Sequence, residues 1–183
     1  MKNWMLLERT DDLLPALFRQ IDHPDFVPLF DTTELGLYSE FGPLLVKDNY
    51  QGALLQAMKH APDNWPGLII ESEHSREALL EHLRHILIVR FELTRKGMLR
   101  YWNPSVASHF FPACSDENLN LWLGPISRLS WHIPSKAEWQ CLDNPRAKAW
   151  QSATPNRPLT LAIDQCHALE QQRQPSKPTG QES

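Results

Sequence analysis

Glycine is scarce in this chain, seven residues in 183. That leaves little material for a phosphate-cradling loop, and no such loop, G-x-S-x-G elbow or H-E-x-x-H helix occurs. Cysteine is scarcer still. Cys114, Cys141 and Cys166 are an odd number at wide, unpatterned spacings, which reads as reduced thiols rather than a disulfide framework. No apolar run approaches the length of a membrane span. The N-terminus, MKNWMLLERTDD, lacks the apolar core and small-residue cleavage site of a signal peptide. Charge of one sign is also missing. Eighteen basic against 22 acidic residues leave −4, which makes no electrostatic case for nucleic acid or an anionic membrane.

What the chain does have is aromatic and apolar residues in well-punctuated runs. The stretch Gly97–Ile126, GMLRYWNPSVASHFFPACSDENLNLWLGPI, is the clearest. Met98 to Trp102 reads as a strand. Asn103 then caps a helix with Pro104 at its first position, where a missing N–H costs nothing. Val106, Phe110 and Phe111 give that helix an inward face. Ser115 caps a second helix carrying Leu119, Trp122 and Leu123, closed by Gly124-Pro125. Almost no reactive side chain interrupts this stretch, so it reads as a packing unit.

Around it the pattern alternates. Trp4–Leu7 reads as a strand, followed by a helix with Leu13, Leu14, Leu17, Phe18 and Ile21 on one side; Pro15 places its cap at Asp11 or Asp12. His23–Tyr38 has no sustained period and reads as an extended connection pinned by Phe26, Val27, Leu29 and Phe30. Pro43–Val46 and Leu68–Ile70 are short buried strands. Between them lies a helix carrying Leu54, Leu55 and Met58, capped by Asp48 or Asn49. Ser75 caps a helix whose stripe is Leu79, Leu80, Leu83, Ile86 and Leu87, with His82 and His85 on its polar side. Val89, Phe91 and Leu93 alternate with polar residues, and Thr94–Gly97 reads as a hairpin turn. Leu129–Ile133 is one more strand candidate. From Pro134 the sequence turns polar and irregular, with isolated Trp139 and Trp150, until an amphipathic helix at Leu159–Gln172. The expected fold is α/β of the α+β kind: a mixed sheet with helices packed on it over residues 1–133, a partly helical segment at 134–172, and a disordered tail at 173–183.

No catalytic or metal constellation emerges. His74, Glu81, His82 and His85 have helical spacing but no distant ligand cluster to complete a set. Adjacent Cys166 and His167 point apart on a helix. Asp164 has no second acid to work with. The expectation is therefore no enzyme, no metal and no cofactor. A cysteine hydrolase using Cys114, Cys141 or Cys166 with a histidine stands as an alternative. Trp139 and Trp150, with Trp131, Leu159 and Ile163, are the candidate protein-binding residues, since tryptophan is enriched where proteins bind one another. The competing reading folds the C-terminal segment back over its own aromatics.

A series of short motifs carries a family resemblance: Trp4-Met5-Leu6-Leu7 before Asp12-Leu13-Leu14-Pro15; Gly42 to Val46; Gly67 to Ser72; Leu79 through His82-Leu83-Arg84 to Val89; Leu99 to Val106; and Leu123 to Ile126. In this order and spacing the chain resembles the adaptor or chaperone family of bacterial type VI secretion systems, catalogued as domain of unknown function four-one-two-three. The family usually has aspartate where Asn103 stands, and either residue caps a helix. The resemblance implies a cytoplasmic, non-enzymatic protein that holds a toxic effector and helps load it onto the VgrG spike protein. Its partners would be that effector and VgrG, with no nucleic acid and no small-molecule substrate. The resemblance makes Arg100, Tyr101, Pro104, Gly124 and Pro125 scaffold, and places effector choice after the shared lobe. An immunity protein against a co-encoded toxin is the other alternative.

Overall fold

The computed structural model describes residues 1–48, 51–92, 94–152 and 157–174. Its centre is a six-stranded sheet built from β1 (Lys2–Leu7), β2 (Phe26–Pro28), β3 (Leu44–Lys47), β4 (Gly67–Ser72), β7 (Arg128–Ile133) and β8 (Glu138–Asp143), in the order β2-β3-β1-β4-β7-β8. The expected α+β class holds, and within it every pairing of this sheet is antiparallel. Strand–helix–strand alternation suggested a mixed sheet. However, β1 lies between β3 and β4 and runs opposite to both, so no parallel crossover is used.

The central strands read as continuous apolar runs because both faces of the sheet are covered. Met5, Leu7, Leu44, Val46 and Ile69 face α1 (Leu13–Gln20) and α2 (Ala53–His60). Trp4, Leu6, Leu45, Leu68, Ile70, Leu129 and Trp131 face the larger core. That core is completed by α3 (Arg76–His85), α4 (Pro104–Phe110) and α5 (Asp116–Leu123). Three caps work as read, while Gly52 takes the N-cap position of α2. Ser75 accepts from Ala78 N–H, Asn103 from Ser105 and Val106, and Ser115 from Asn118. Asp12 stands at the N-cap of α1 without a side-chain cap bond, and Asp48 accepts from Leu54 N–H. Asn49 and Leu93, also named in the sequence reading, lie outside the described residues.

Other expectations need correction, among them the hairpin turn at Thr94–Gly97, most of which lies in a strand. Phe18 is exposed, resting edge-on against Phe26. The extended connection His23–Tyr38 contains β2, and its last residues enter a 3-10 turn, Gly36–Phe41. The strand placed at Met98–Trp102 is β6 (Arg95–Met98), which pairs with β5 (Ile88–Phe91) as a separate two-stranded sheet. Tyr101 and Trp102 instead form a buried turn, because their side chains serve the core and the Tyr101 hydroxyl donates to the Leu83 carbonyl at 2.7 Å. The polar stretch after Pro134 contains β8, whose partly buried residues look irregular in sequence. The last helix, α6 (Ile163–Arg173), begins four residues after Leu159. Leu159 and Leu161 pair with Arg90 of β5 instead (2.8 Å each), and Gln165 folds back onto Ala162 N–H at 2.7 Å to start the helix. Of the expected tail, Arg173 closes α6, and residues 175–183 lie outside the described residues.

His82 is the largest surprise in the core. Instead of lying on a solvated face it is 4% exposed, with Nε2 2.8 Å from the Trp122 carbonyl. The chain reverses at Gly124 with φ +53°, and a Cβ there would fall 2.4 Å from the His82 ring. Only glycine permits both the turn and the close approach.

Candidate protein-binding surface

The 3-10 turn Gly36–Phe41 places three large apolar side chains in solvent: Leu37 (92% exposed), Tyr38 (59%) and Phe41 (70%). Beside them Met98, at the end of β6, is 43% exposed. Tyr38, Phe41 and Met98 rim a hollow of about 400 Å³ floored by Phe30, Leu35 and Trp102, with Glu8, Arg9 and Arg100 at its polar edge. A cluster of this size on one face marks an interaction surface more often than scattered single residues do.

The loop is held in place rather than left loose. The Thr33 hydroxyl donates to the Phe30 carbonyl (2.6 Å) and accepts from Leu35 N–H (3.1 Å). Ser39 donates to the Asp31 carboxylate. From below, Arg84 of α3 donates to the Leu29 carbonyl at 3.0 Å and the Pro28 carbonyl at 3.3 Å. Phe30 packs edge-on against Trp102, centroids 5.7 Å apart. At the polar edge Arg100 donates to Glu8 at 2.6 Å and Asn103 donates to the same carboxylate. This ties the start of α4 to the end of β1. The arrangement offers fixed aromatic anchors and no nucleophile, which suits docking of a protein rather than chemistry.

The residues nominated from sequence do not meet in one place. Trp131 is buried in the large core and Trp139 half-buried on the opposite face of the sheet, beside His132 at 5.5 Å. Trp150 lies over α3, edge-on to His74 (5.6 Å) and His82 (5.7 Å). There His74 also bonds the Ala147 carbonyl at 2.7 Å. Leu159 packs at the core margin and Ile163 is exposed on the first turn of α6. Of the residues that the resemblance makes scaffold, Tyr101 is buried and Arg100 stands at the edge of the hollow. Pro104 opens α4, and the Pro125 carbonyl accepts from buried Ser72 at 2.7 Å. The aromatic turn was not singled out from sequence, although GLYSEF holds three large apolar residues without a period, a signal that they do not share one buried face.

Among the described residues no hydrogen bond joins a cysteine sulfur to an imidazole. Cys114 donates to the Phe110 carbonyl and accepts from Gln165, and burial pushes its thiol up to about 11, with the Gln165 bond pulling the other way. Burial raises the Cys166 thiol as well. Raised thiols hold little thiolate near neutrality. No group of three or more His, Cys, Asp or Glu side chains is arranged to hold a metal among the described residues, and none of their helices is long and apolar enough to cross a membrane.

No curated protein and no solved structure matches this chain. A family model, described as Domain of unknown function (DUF4123), matches residues 4–121, from β1 to within α5. The match covers well over half of the chain, and the protein belongs to that family.

Proposed function

We propose that this protein is a cytoplasmic adaptor or chaperone that binds a type VI secretion effector and helps load it onto the VgrG spike. The observation that carries the reading is family membership over residues 4–121, because the family is associated with such adaptors. Two features of the fold support it. Leu37, Tyr38 and Phe41 stand exposed on a fixed turn, as anchors for a protein partner do. Among the described residues no cysteine sulfur is hydrogen-bonded to an imidazole, and the half-buried Cys114 thiol is pushed up by burial, which favours a binding role over the hydrolase alternative.

The test is co-expression of the full chain with the VgrG and effector encoded beside it, followed by size-exclusion chromatography. Co-migration, or a gain in effector solubility, is the expected result. If neither protein co-migrates and neither gains solubility, the adaptor reading fails. Protection of cells from the toxin without co-migration with VgrG would favour the immunity reading instead.

A further inference from the structure

The two ends of the six-stranded sheet are finished differently. At one end β2 is three residues long, and ladder bonds at Leu29 and Lys47 show that Phe26 and Pro28 turn their backbone outward. Pro28 has no N–H to offer, its carbonyl accepts from Arg84 at 3.3 Å, and Phe18 covers Phe26. That edge is closed to a further strand, in the way natural sheets usually guard their margins. The outer edge of the β5–β6 hairpin is also short and carries Arg95 and Lys96.

At the other end β8 has six residues, Glu138 to Asp143, and no such guard. It contains no proline or lysine, and its only charges sit at its two ends. The bond from Asn144 N–H to the Ser127 carbonyl (2.8 Å) sets the alternation of the β7–β8 ladder. By that alternation Leu142, Gln140 and Glu138 bond inward to β7, while Trp139, Cys141 and Asp143 present N–H and C=O outward. No described residue takes those groups. The side chains fit the same picture, since Cys141 at the middle of the strand is exposed.

We propose that β8 is the contact through which two copies of this chain pair, antiparallel about a two-fold axis at Cys141. An isologous contact must match the strand to itself. In an antiparallel pair, outward-facing residues oppose outward-facing residues. Placing Cys141 opposite Cys141 puts Trp139 opposite Asp143 and Asp143 opposite Trp139. All outward residues of β8 are then used, giving about six backbone hydrogen bonds. Gln140 falls opposite Leu142 and Glu138 opposite Asn144, so no like charges face each other across the seam. Any shift along the strand leaves at least one outward residue of β8 without an outward partner from the other β8. The paired sheets would run as one sheet of twice the width. The contact is made by one six-residue strand from each copy, and its occupancy depends on protein concentration.

The experiment uses the full chain under reducing conditions. Sedimentation velocity is run over a concentration series, and bismaleimidoethane, a short thiol-to-thiol crosslinker, reports the register. The expected result is a concentration-dependent dimer that crosslinks at Cys141, where the facing Cα atoms of a bonded pair lie about 5.5 Å apart. Cys141→Ser removes the crosslink and keeps the dimer. Cys141→Pro deletes an outward N–H that β7 does not use, and Cys141→Lys sets two like charges on the axis. Each of these weakens self-association at least tenfold, with an unchanged circular dichroism spectrum showing that the fold survives. A wild-type chain that stays monomeric throughout, or Cys141→Pro and Cys141→Lys variants that dimerise as wild type does, overturns the proposal. Adding the co-encoded effector and VgrG to the same samples keeps the two ideas apart. A monomer that binds them and loses the effector only in Cys141→Pro means the edge serves a foreign strand, which also overturns self-pairing while leaving the adaptor reading intact.

Discussion

Between Tyr101 and Trp122 the chain carries Tyr101, Trp102, Phe110, Phe111 and Trp122, and all five are buried. Between Gly36 and Phe41 it carries Leu37, Tyr38 and Phe41, and all three are exposed. The residue types are alike, so hydrophobicity does not sort them. The difference lies in what the backbone around them does. In the first stretch, caps at Asn103 and Ser115 set short helices at angles that aim each ring at another, as with Phe110 and Trp122 at 4.9 Å. In the second, hydrogen bonds from Thr33 and Ser39 close a tight turn whose side chains have nowhere inward to go. One region spends its aromatics on stability. The other keeps them available, and the comparison can be broken by asking which substitutions cost folding and which cost binding.

The largest effect is expected at Trp122. Its ring lies edge-on to Phe110 in the core and its carbonyl is bonded by His82. Trp122→Ala should lower stability by about 3–5 kcal/mol, measured by urea denaturation. Most domains have only about 5–15 kcal/mol in all, so this variant stands close to unfolding. A loss under about 1 kcal/mol would mean that the Tyr101–Trp122 region is not the packed centre described.

His82 gives the next effect and links that region to Trp150. Burial lowers its pKa from an ordinary 6.5 to about 4, against the opposing bond to the Trp122 carbonyl. Because the folded pKa is depressed, the unfolded chain binds the extra proton first. The stability is therefore complete above about pH 6.5 and is lost as pH falls toward about 4, by about 3 kcal/mol. Burial shifts His85 in the same direction, so the measurement is a difference. Thermal melts of wild type and His82→Gln between pH 7 and pH 4 should show the wild type losing more. Parallel curves would remove His82 from the account.

At Asn103 the expected loss is smaller. Asn103→Ala removes the cap of α4 and two bonds to Glu8, which should cost about 1 kcal/mol. Asn103→Asp, the residue usual in the family, keeps the cap but faces the Glu8 carboxylate, and should recover only part of that loss.

These positions also show what the sequence discloses. Asn103, Ser115 and Gly124-Pro125 were legible because helix ends use a short list of residues for local reasons. The central strands were legible because two covered faces leave an uninterrupted apolar run. His82 was not. Its burial depends on Gly124, forty-two residues away, leaving room for an imidazole, and helical periodicity carries no such information. Nor was β8, an edge strand with one exposed margin and mixed side chains. The exposed turn was missed for a related reason. The pins read in His23–Tyr38 are Phe26, Val27, Leu29 and Phe30, of which Leu29 and Phe30 are fully buried, and a stretch without a period carries no mark that Leu37, Tyr38 and Phe41 stand exposed.

The smallest expected change in stability is the most informative for function. Tyr38→Ser combined with Phe41→Ser removes two exposed rings from the rim of the hollow. No side-chain hydrogen bond of the turn runs through either residue, since the anchors are Thr33, Ser39 and Asp31. Surface substitutions of this kind stay within about 0.5 kcal/mol, so urea and thermal midpoints should match wild type. Removing two aromatic anchors from a docking face should nevertheless weaken binding by about 2 kcal/mol or more, roughly thirtyfold in affinity. The readout is titration of the purified effector, and separately of VgrG, against wild type and the double variant. Loss of one partner alone would assign the turn to that partner and leave the other for a different face. Unchanged affinity for both, at unchanged stability, would show that these exposed rings serve neither folding nor docking, and the contrast with the Tyr101–Trp122 region would lose its functional meaning.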